Sequence, residues 1–244
     1  MPETSPLALL ARKLSGHVAL SSDDVAAVLA LPCQIRTLDP STYLLREGDP
    51  PLQCAVLLSG FAYRQKLTGE GARQIVSLHV AGEALDLQSL YLDVADHNIQ
   101  TLTRAEVALV PRAALRELIQ QRPAVAHAAM ISVLVESSIS REWTLNIGRR
   151  DAQARLAHLL CEVAMRLDAQ GLAGPDGYDL PMTQEQLGDA LGLTAVHVNR
   201  TLKTLESAGL IVRNRRHVRI PAWNLLRDVG DFTGRYLHIG PQHA

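Results

Sequence analysis

The sequence predicts an α+β chain with a β-rich first half and a helical second half. Three observations carry this. Between about Cys33 and Pro111, short apolar runs alternate with turn residues, which is the pattern of many short strands. Beyond Pro111 the apolar residues recur at helical spacing. Between Leu180 and Val212 two short, well-capped helical patterns are joined by a glycine, and a pair of basic β-type runs follows. The class expected is therefore an N-terminal β-roll (jelly roll), a long helix, and a C-terminal winged helix-turn-helix.

Composition is consistent with folded domains. Of 244 residues, 47% are hydrophobic and 20% charged, enough apolar surface for real cores. No uninterrupted apolar run approaches the ~18 residues that span a bilayer, and the first residues lack a signal-peptide pattern. A cytoplasmic protein is expected. Cys33, Cys54 and Cys161 are scattered, which argues against a disulfide framework.

In chain order, Leu7, Leu10, Leu14 and Val18 form a helical stripe, and 23–31 read as a second short helix. Strand-like runs then include 43–45 and 55–58, with Phe61–Leu67 and Arg73–Val80 flanking the turn Thr68-Gly69-Glu70-Gly71. A closing run covers Ile99–Val110. Residues 1–110 hold eight Lys and Arg against twelve Asp and Glu, so nucleic acid is not expected to bind there. His79, Asp86, Asp96 and His97 invite comparison with a metal pocket. Without a His-x-His pair, fewer than three converging ligands can be placed, and no metal or other cofactor is expected.

From Pro111 helices dominate. Arg112–Gln121 is one; Pro123 opens a longer one, reaching about Ile147, at a first-turn position that suits proline. That helix carries apolar residues over much of its surface, so it needs cover on more than one side. Ala128, Ile131, Val135 and Ile139 are expected to face a second copy, coiled-coil fashion. Gly148–Asp151 reads as a hinge. The next helix carries the stripe Leu156, Leu159, Leu160, Val163 and Leu167. The divisions expected are 1–111, 112–148 and 149–244.

In the two-helix unit, Thr183 and Gln186 form a capping box, Gly192 makes the turn, and Thr194 caps the second helix. Val198, Leu202 and Leu205 form its apolar stripe; Ala195, Val196, His197, Asn199, Arg200 and Lys203 are expected on the opposite face. Leu210–Arg213 and His217–Ile220 then flank Asn214-Arg215-Arg216 as a hairpin. Residues 181–220 contain six cations against three anions, a local positive excess in a chain of net charge −1. Such an excess beside a helix pair is the footprint of phosphate-backbone binding.

The run Thr183-x-x-x-Leu187-Gly-x-x-Leu191-Gly-Leu-Thr194, continued by Val198-Asn199-Arg200-Thr-Leu and Leu205-Glu-x-x-Gly209-Leu-Ile, resembles the DNA-binding end of the Crp/Fnr family of bacterial transcription regulators. The Glu-Gly-Asp at 47–49 and Leu-Ser-Gly at 58–60 look like turns of the same family's β-roll sensor domain. The resemblance implies a homodimeric, sequence-specific transcription regulator and not an enzyme, with the long helix as dimer seam. It implies a twofold-symmetric double-stranded DNA site contacted by Thr183, Thr194, Ala195, Val196, His197, Asn199, Arg200, Lys203, Arg213, Arg215 and Arg216. Arg200 matches the family's base-reading arginine. Val196 replaces its usual Glu, Ala195 an Arg found in some members, and Asn199 its usual Ser or Gly, so a different half-site is expected.

An effector pocket is expected around Glu83, Asp86, Gln88, Ser89 and His97. Members that bind cyclic nucleotides place an arginine against the phosphate. Here no Arg or Lys falls between Gln74 and Thr103, and Asp86, Asp93 and Asp96 would repel an anion, so an unidentified small molecule other than cyclic AMP is expected. The three isolated cysteines do not match the four that hold the iron–sulfur cluster of some members. RNA polymerase is the further partner implied if the chain is an activator. The rival from another class is a cupin-like metal-dependent enzyme carrying a DNA-binding tail.

Overall fold

The computed structural model describes residues 5–174 and 176–239. Pro175, which falls in the run 171–177 that reads in sequence as a turn-rich loop, lies outside them. The chain divides into two compact units, one of residues up to 66 together with 77–136, the other of 67–76 together with 137–244.

The first unit begins with α1 (Ala8–His17) and α2 (Ser22–Leu29). Ser21 caps α2 in a reciprocal box with Asp24. Seven strands follow: β1 (Gln34–Leu38), β2 (Tyr43–Leu45), β3 (Gln53–Ser59), β4 (Ala62–Leu67), β5 (Arg73–His79), β6 (Asn98–Thr101) and β7 (Ala105–Pro111). They form two sheets, ordered β1-β7-β3 and β2-β6-β4-β5, with antiparallel pairing at each described register. The run 99–110, read as one strand, is two strands in different sheets. Its break at Leu102–Arg104 lets Leu102 and Thr103 donate backbone N–H groups to the Phe61 carbonyl. Leu57, Ile99, Ala105 and Val107 fill the interior of the roll. A second core joins α1, Val56, Val110 and Leu115 to the start of the long helix.

Helices α3 (Arg112–Gln121) and α4 (Pro123–Arg149) follow. Ala128 is fully buried in that second core, so it packs inside its own chain and is not available to a partner. By length and mean hydropathy alone α4 is long and apolar enough to cross a membrane, although no uninterrupted apolar run within it reaches that length. Its apolar residues are spaced by Ser132, Glu136, Ser137, Arg141 and Glu142, which hides the feature from a run-length reading.

The second unit is built on α5 (Ala152–Ala169), capped by Asp151. Its stripe packs against α6 (Gln184–Leu191), α7 (Ala195–Ser207) and α8 (Trp223–Val229). A small sheet, ordered β8-β10-β9, joins β8 (Tyr178–Asp179) to the hairpin of β9 (Val212–Asn214) and β10 (His217–Arg219).

Candidate nucleic-acid interface and sensor interior

The two-helix unit forms as its caps dictate. Thr183 Oγ1 accepts from Gln186 N at 3.2 Å, and Gln186 Oε1 accepts from Thr183 N at 2.9 Å. Gly192 takes the left-handed conformation, φ +64°, that ends α6. A second glycine is equally needed. A Cβ on Gly188 would lie 2.4 Å from the Leu193 carbonyl oxygen, so the turn closes against α6 only because that position is bare. Thr194 Oγ1 accepts from His197 N at 3.2 Å and starts α7.

Val198, Thr201, Leu202 and Leu205 are buried beneath α7. Ala195, Val196, Arg200 and Lys203 are exposed, with Val196 at 81%. His197 and Asn199 are half-buried. Asn199 Nδ2 donates to Gln184 Oε1 at 3.2 Å, which ties α7 to α6. The exposed side chains border a groove with Gln184, Thr204 and Ser207.

In the wing, Val218 is buried while Arg215 and Arg216 occupy the exposed turn. Arg215 adopts φ +56°, an uncommon conformation for a side chain of its kind. Arg213 is held by Glu206 at 3.0 Å, so its guanidinium braces the wing to α7. His217 bridges the Asp176 carbonyl and the Asp179 carboxylate, each at 2.9 Å. Those two acceptors raise its pKa above the usual histidine value.

The expected effector residues separate into two groups. Asp86, Ser89, Gln88 and His97 converge: Ser89 Oγ donates to Asp86 Oδ2, Gln88 Nε2 lies 3.4 Å from His97 Nδ1, and His97 Nε2 lies 3.7 Å from Asp86 Oδ1. Glu83 instead accepts from Lys13 at 2.7 Å and pairs with His79 at 3.1 Å.

The expectation of a pocket without cations is corrected. Arg64, on β4 and distant in sequence from the cassette, brings a nearly buried guanidinium that binds Glu136 of α4 and donates to the Leu85 carbonyl at 2.7 Å. The expected repulsion from three aspartates also fails. Asp93 and Asp96 have exposed side chains paired with Arg112 and His97, and Asp86 is the one turned inward. Burial pushes the Asp86 carboxyl up to about 6 against the opposing pull of Arg64. Burial, followed by Arg64, lowers the pKa of His97.

The residues here offer a cyclic phosphate no free guanidinium, though Arg64 Nε, Asp86 Oδ1 and His97 Nε2 are buried without a hydrogen-bond partner. The guanidinium that reaches the interior is engaged by Glu136 and Leu85, and the neighbouring acidic group is buried. An iron–sulfur cluster does not fit. All three cysteines are free thiols, and burial pushes Cys54 and Cys161 up to about 12. Among the described residues no group of three His, Cys, Asp or Glu is placed to hold a metal.

Two family descriptions match the chain: a cyclic nucleotide-binding domain over residues 35–122 and a Crp-like helix-turn-helix domain over 154–229. Similar curated proteins include a probable transcriptional activator from Rhizobium leguminosarum bv. viciae, 27% identical over 187 residues, or 76% of this chain and 77% of that protein. The transcriptional activator protein FnrL from Cereibacter sphaeroides is 28% identical over 201 residues, 80% of each chain. Among solved structures, FixK2 from Bradyrhizobium japonicum has the same fold, with a TM-score of 0.76 and 24% identity over 83% of this chain and all of that one. The enzyme reading finds no support in these likenesses. With a β-roll, a long helix and a basic winged helix-turn-helix in this order, the chain belongs to the Crp/Fnr family and is a DNA-binding transcription regulator.

Proposed function

We propose that the chain acts in the bacterial cytoplasm as a homodimer on a twofold-symmetric duplex. Each α7 lies in a major groove and each wing lies along a phosphate backbone. The observation that carries this is the two-sidedness of α7: its apolar stripe is buried, while Ala195, Val196, Arg200 and Lys203 stand outward near a wing tipped by two arginines. Arg200 reads a guanine through O6 and N7, Val196 meets a thymine methyl, and Arg215 and Arg216 contact phosphates. Thr183 and Thr194 serve by capping the two helices.

The dimer seam follows the exposed ridge of α4. His127, Met130, Leu134, Ser137, Arg141 and Thr144 repeat at alternating three- and four-residue intervals, and all are exposed. Ile131, Val135 and Ile139, half-buried in their own chain, flank that ridge. A small-molecule effector other than a cyclic nucleotide acts at Asp86, Ser89 and His97. RNA polymerase is the partner if bound protein activates.

Filter binding of wild type and Arg215→Ala over a salt series tests the interface. The slope of log affinity against log salt should fall by about one for Arg215→Ala, with all sequences weakened alike. An unchanged slope would remove the wing from the backbone. Cyclic AMP should give no calorimetric heat at micromolar concentration, and measurable binding would overturn the effector reading.

A further inference from the structure

Residues 230–239 lie beyond the matched helix-turn-helix domain, yet they return to the junction of α4 and α5. There Glu162 of α5, with no exposed surface, accepts hydrogen bonds from three elements. The Trp143 indole of α4 donates at 3.0 Å, the Arg166 guanidinium of α5 at 3.1 Å, and the Tyr236 hydroxyl of the tail at 2.8 Å. His158, one turn earlier on α5, has Nε2 2.9 Å from the same hydroxyl and Nδ1 3.0 Å from the Gly230 carbonyl. Phe232 meets the His158 ring edge-on, with centroids 5.0 Å apart.

A second anchor lies at the end of α4. Arg150, the residue after α4, pairs with Glu142 of that helix at 2.7 Å and with Asp231 of the tail at 3.0 Å. It also donates to the Asp231 carbonyl at 3.1 Å. The tail is thus fastened to α4 through Asp231 and to α5 through Tyr236, while Trp143 brings α4 to the carboxylate that Tyr236 holds.

This arrangement costs too much to be incidental. A carboxylate without solvent is stable only when its acceptor positions are filled, and here one of the donors comes from the tail. We propose that residues 230–237 form a strap that fixes the angle at which α5 leaves α4, with Tyr236 as its positioning residue. Because α7 packs against α5, the strap sets the orientation of the recognition helix. The inference rests on the DNA-binding reading and adds to it a determinant outside the matched domain.

The test uses the full chain with Tyr236→Phe, Asp231→Asn and the double variant. Tyr236→Phe keeps the ring that packs on His158 and removes only the hydroxyl. Asp231→Asn keeps a residue that tolerates the φ of +46° found there, and the side chain is 78% exposed, so it bears the test if Tyr236→Phe fails to fold. The probes are a duplex enriched from a random pool by the wild-type chain and a shuffled duplex of equal composition.

Each single variant should bind the enriched duplex about fivefold more weakly, the scale of one hydrogen bond, with shuffled-duplex binding unchanged. The double variant should lose no more than either single one, because releasing either end frees the strap. The Trp143 indole N–H resonance, assigned with Trp143→Phe, should shift in Tyr236→Phe. Unchanged affinity for the enriched duplex, or equal weakening of both duplexes, would overturn the strap. If the wild type enriches no duplex, the DNA-binding reading falls instead.

Discussion

Asn199 of α7 donates its side-chain amide to Gln184 of α6, a 3.2 Å bond between the two helices of the DNA-binding unit. The residue stands where the family usually carries Ser or Gly, and neither of those reaches across. Asn199→Ala should lower stability by about 1 kcal/mol or less, since the bond is only part-buried. Chemical unfolding measures this. A larger loss would mean that Asn199 does more than join the helices.

Gly188 offers a sharper stability test. A methyl group at that position meets the Leu193 carbonyl at 2.4 Å, and backbone cannot swing aside as a side chain can. Gly188→Ala should cost roughly 1–3 kcal/mol in the same measurement, although alanine is the better helix former. A stabilised variant would contradict the close approach.

How much of this was legible in the sequence depended on the range of the interaction. The caps at Thr183 and Thr194, the turn at Gly192, the wing and the 68–71 hairpin are local, and local chemistry decides them. Arg64 escaped because it reaches the Leu85 carbonyl from β4, and no spacing within the cassette records that. The register of α4 escaped for a related reason. Ala128 and Ile131 share one apolar surface in sequence, and packing on the roll decides which of them is covered. Trp143 is in sequence only one more apolar position of α4, though a lone glutamate at 162 within a leucine stripe signals a buried partner. Gly188 left a signal too, a glycine inside a helical pattern, which is unfavourable unless something approaches closely.

The roll interior gives a pH dependence. Burial raises the Asp86 carboxyl from 3.8 to about 6, so in the folded state it stays protonated where the unfolded chain has ionised. The stability tied to neutral Asp86 is therefore fully present below about pH 4 and is lost as pH rises through about 6. A displacement of about two pH units corresponds to about 3 kcal/mol at most. Asp86→Asn, which can still accept from Ser89, should flatten the stability profile over pH 4–6 relative to wild type. Parallel profiles would show that Asp86 does not carry this dependence.

The α4 ridge predicts different outcomes for adjacent residues. Leu134 is 58% exposed, whereas Val135 is half-buried in its own chain. Leu134→Asp should give folded monomers by sedimentation, because a charge in a paired seam loses its hydration. Val135→Asp should lower stability as well as association. A dimeric Leu134→Asp would place the seam on another face.

The central claim is that α7 reads sequence through Arg200, and site selection from a random duplex pool tests it most directly. Wild type should recover twofold-symmetric sites with one invariant guanine in each half. Arg200→Ala should recover sites in which that guanine is lost while the other positions persist, with about 1–3 kcal/mol less discrimination there. Selected sites without a symmetric guanine, or an Arg200→Ala chain that ranks them as wild type does, would contradict the account.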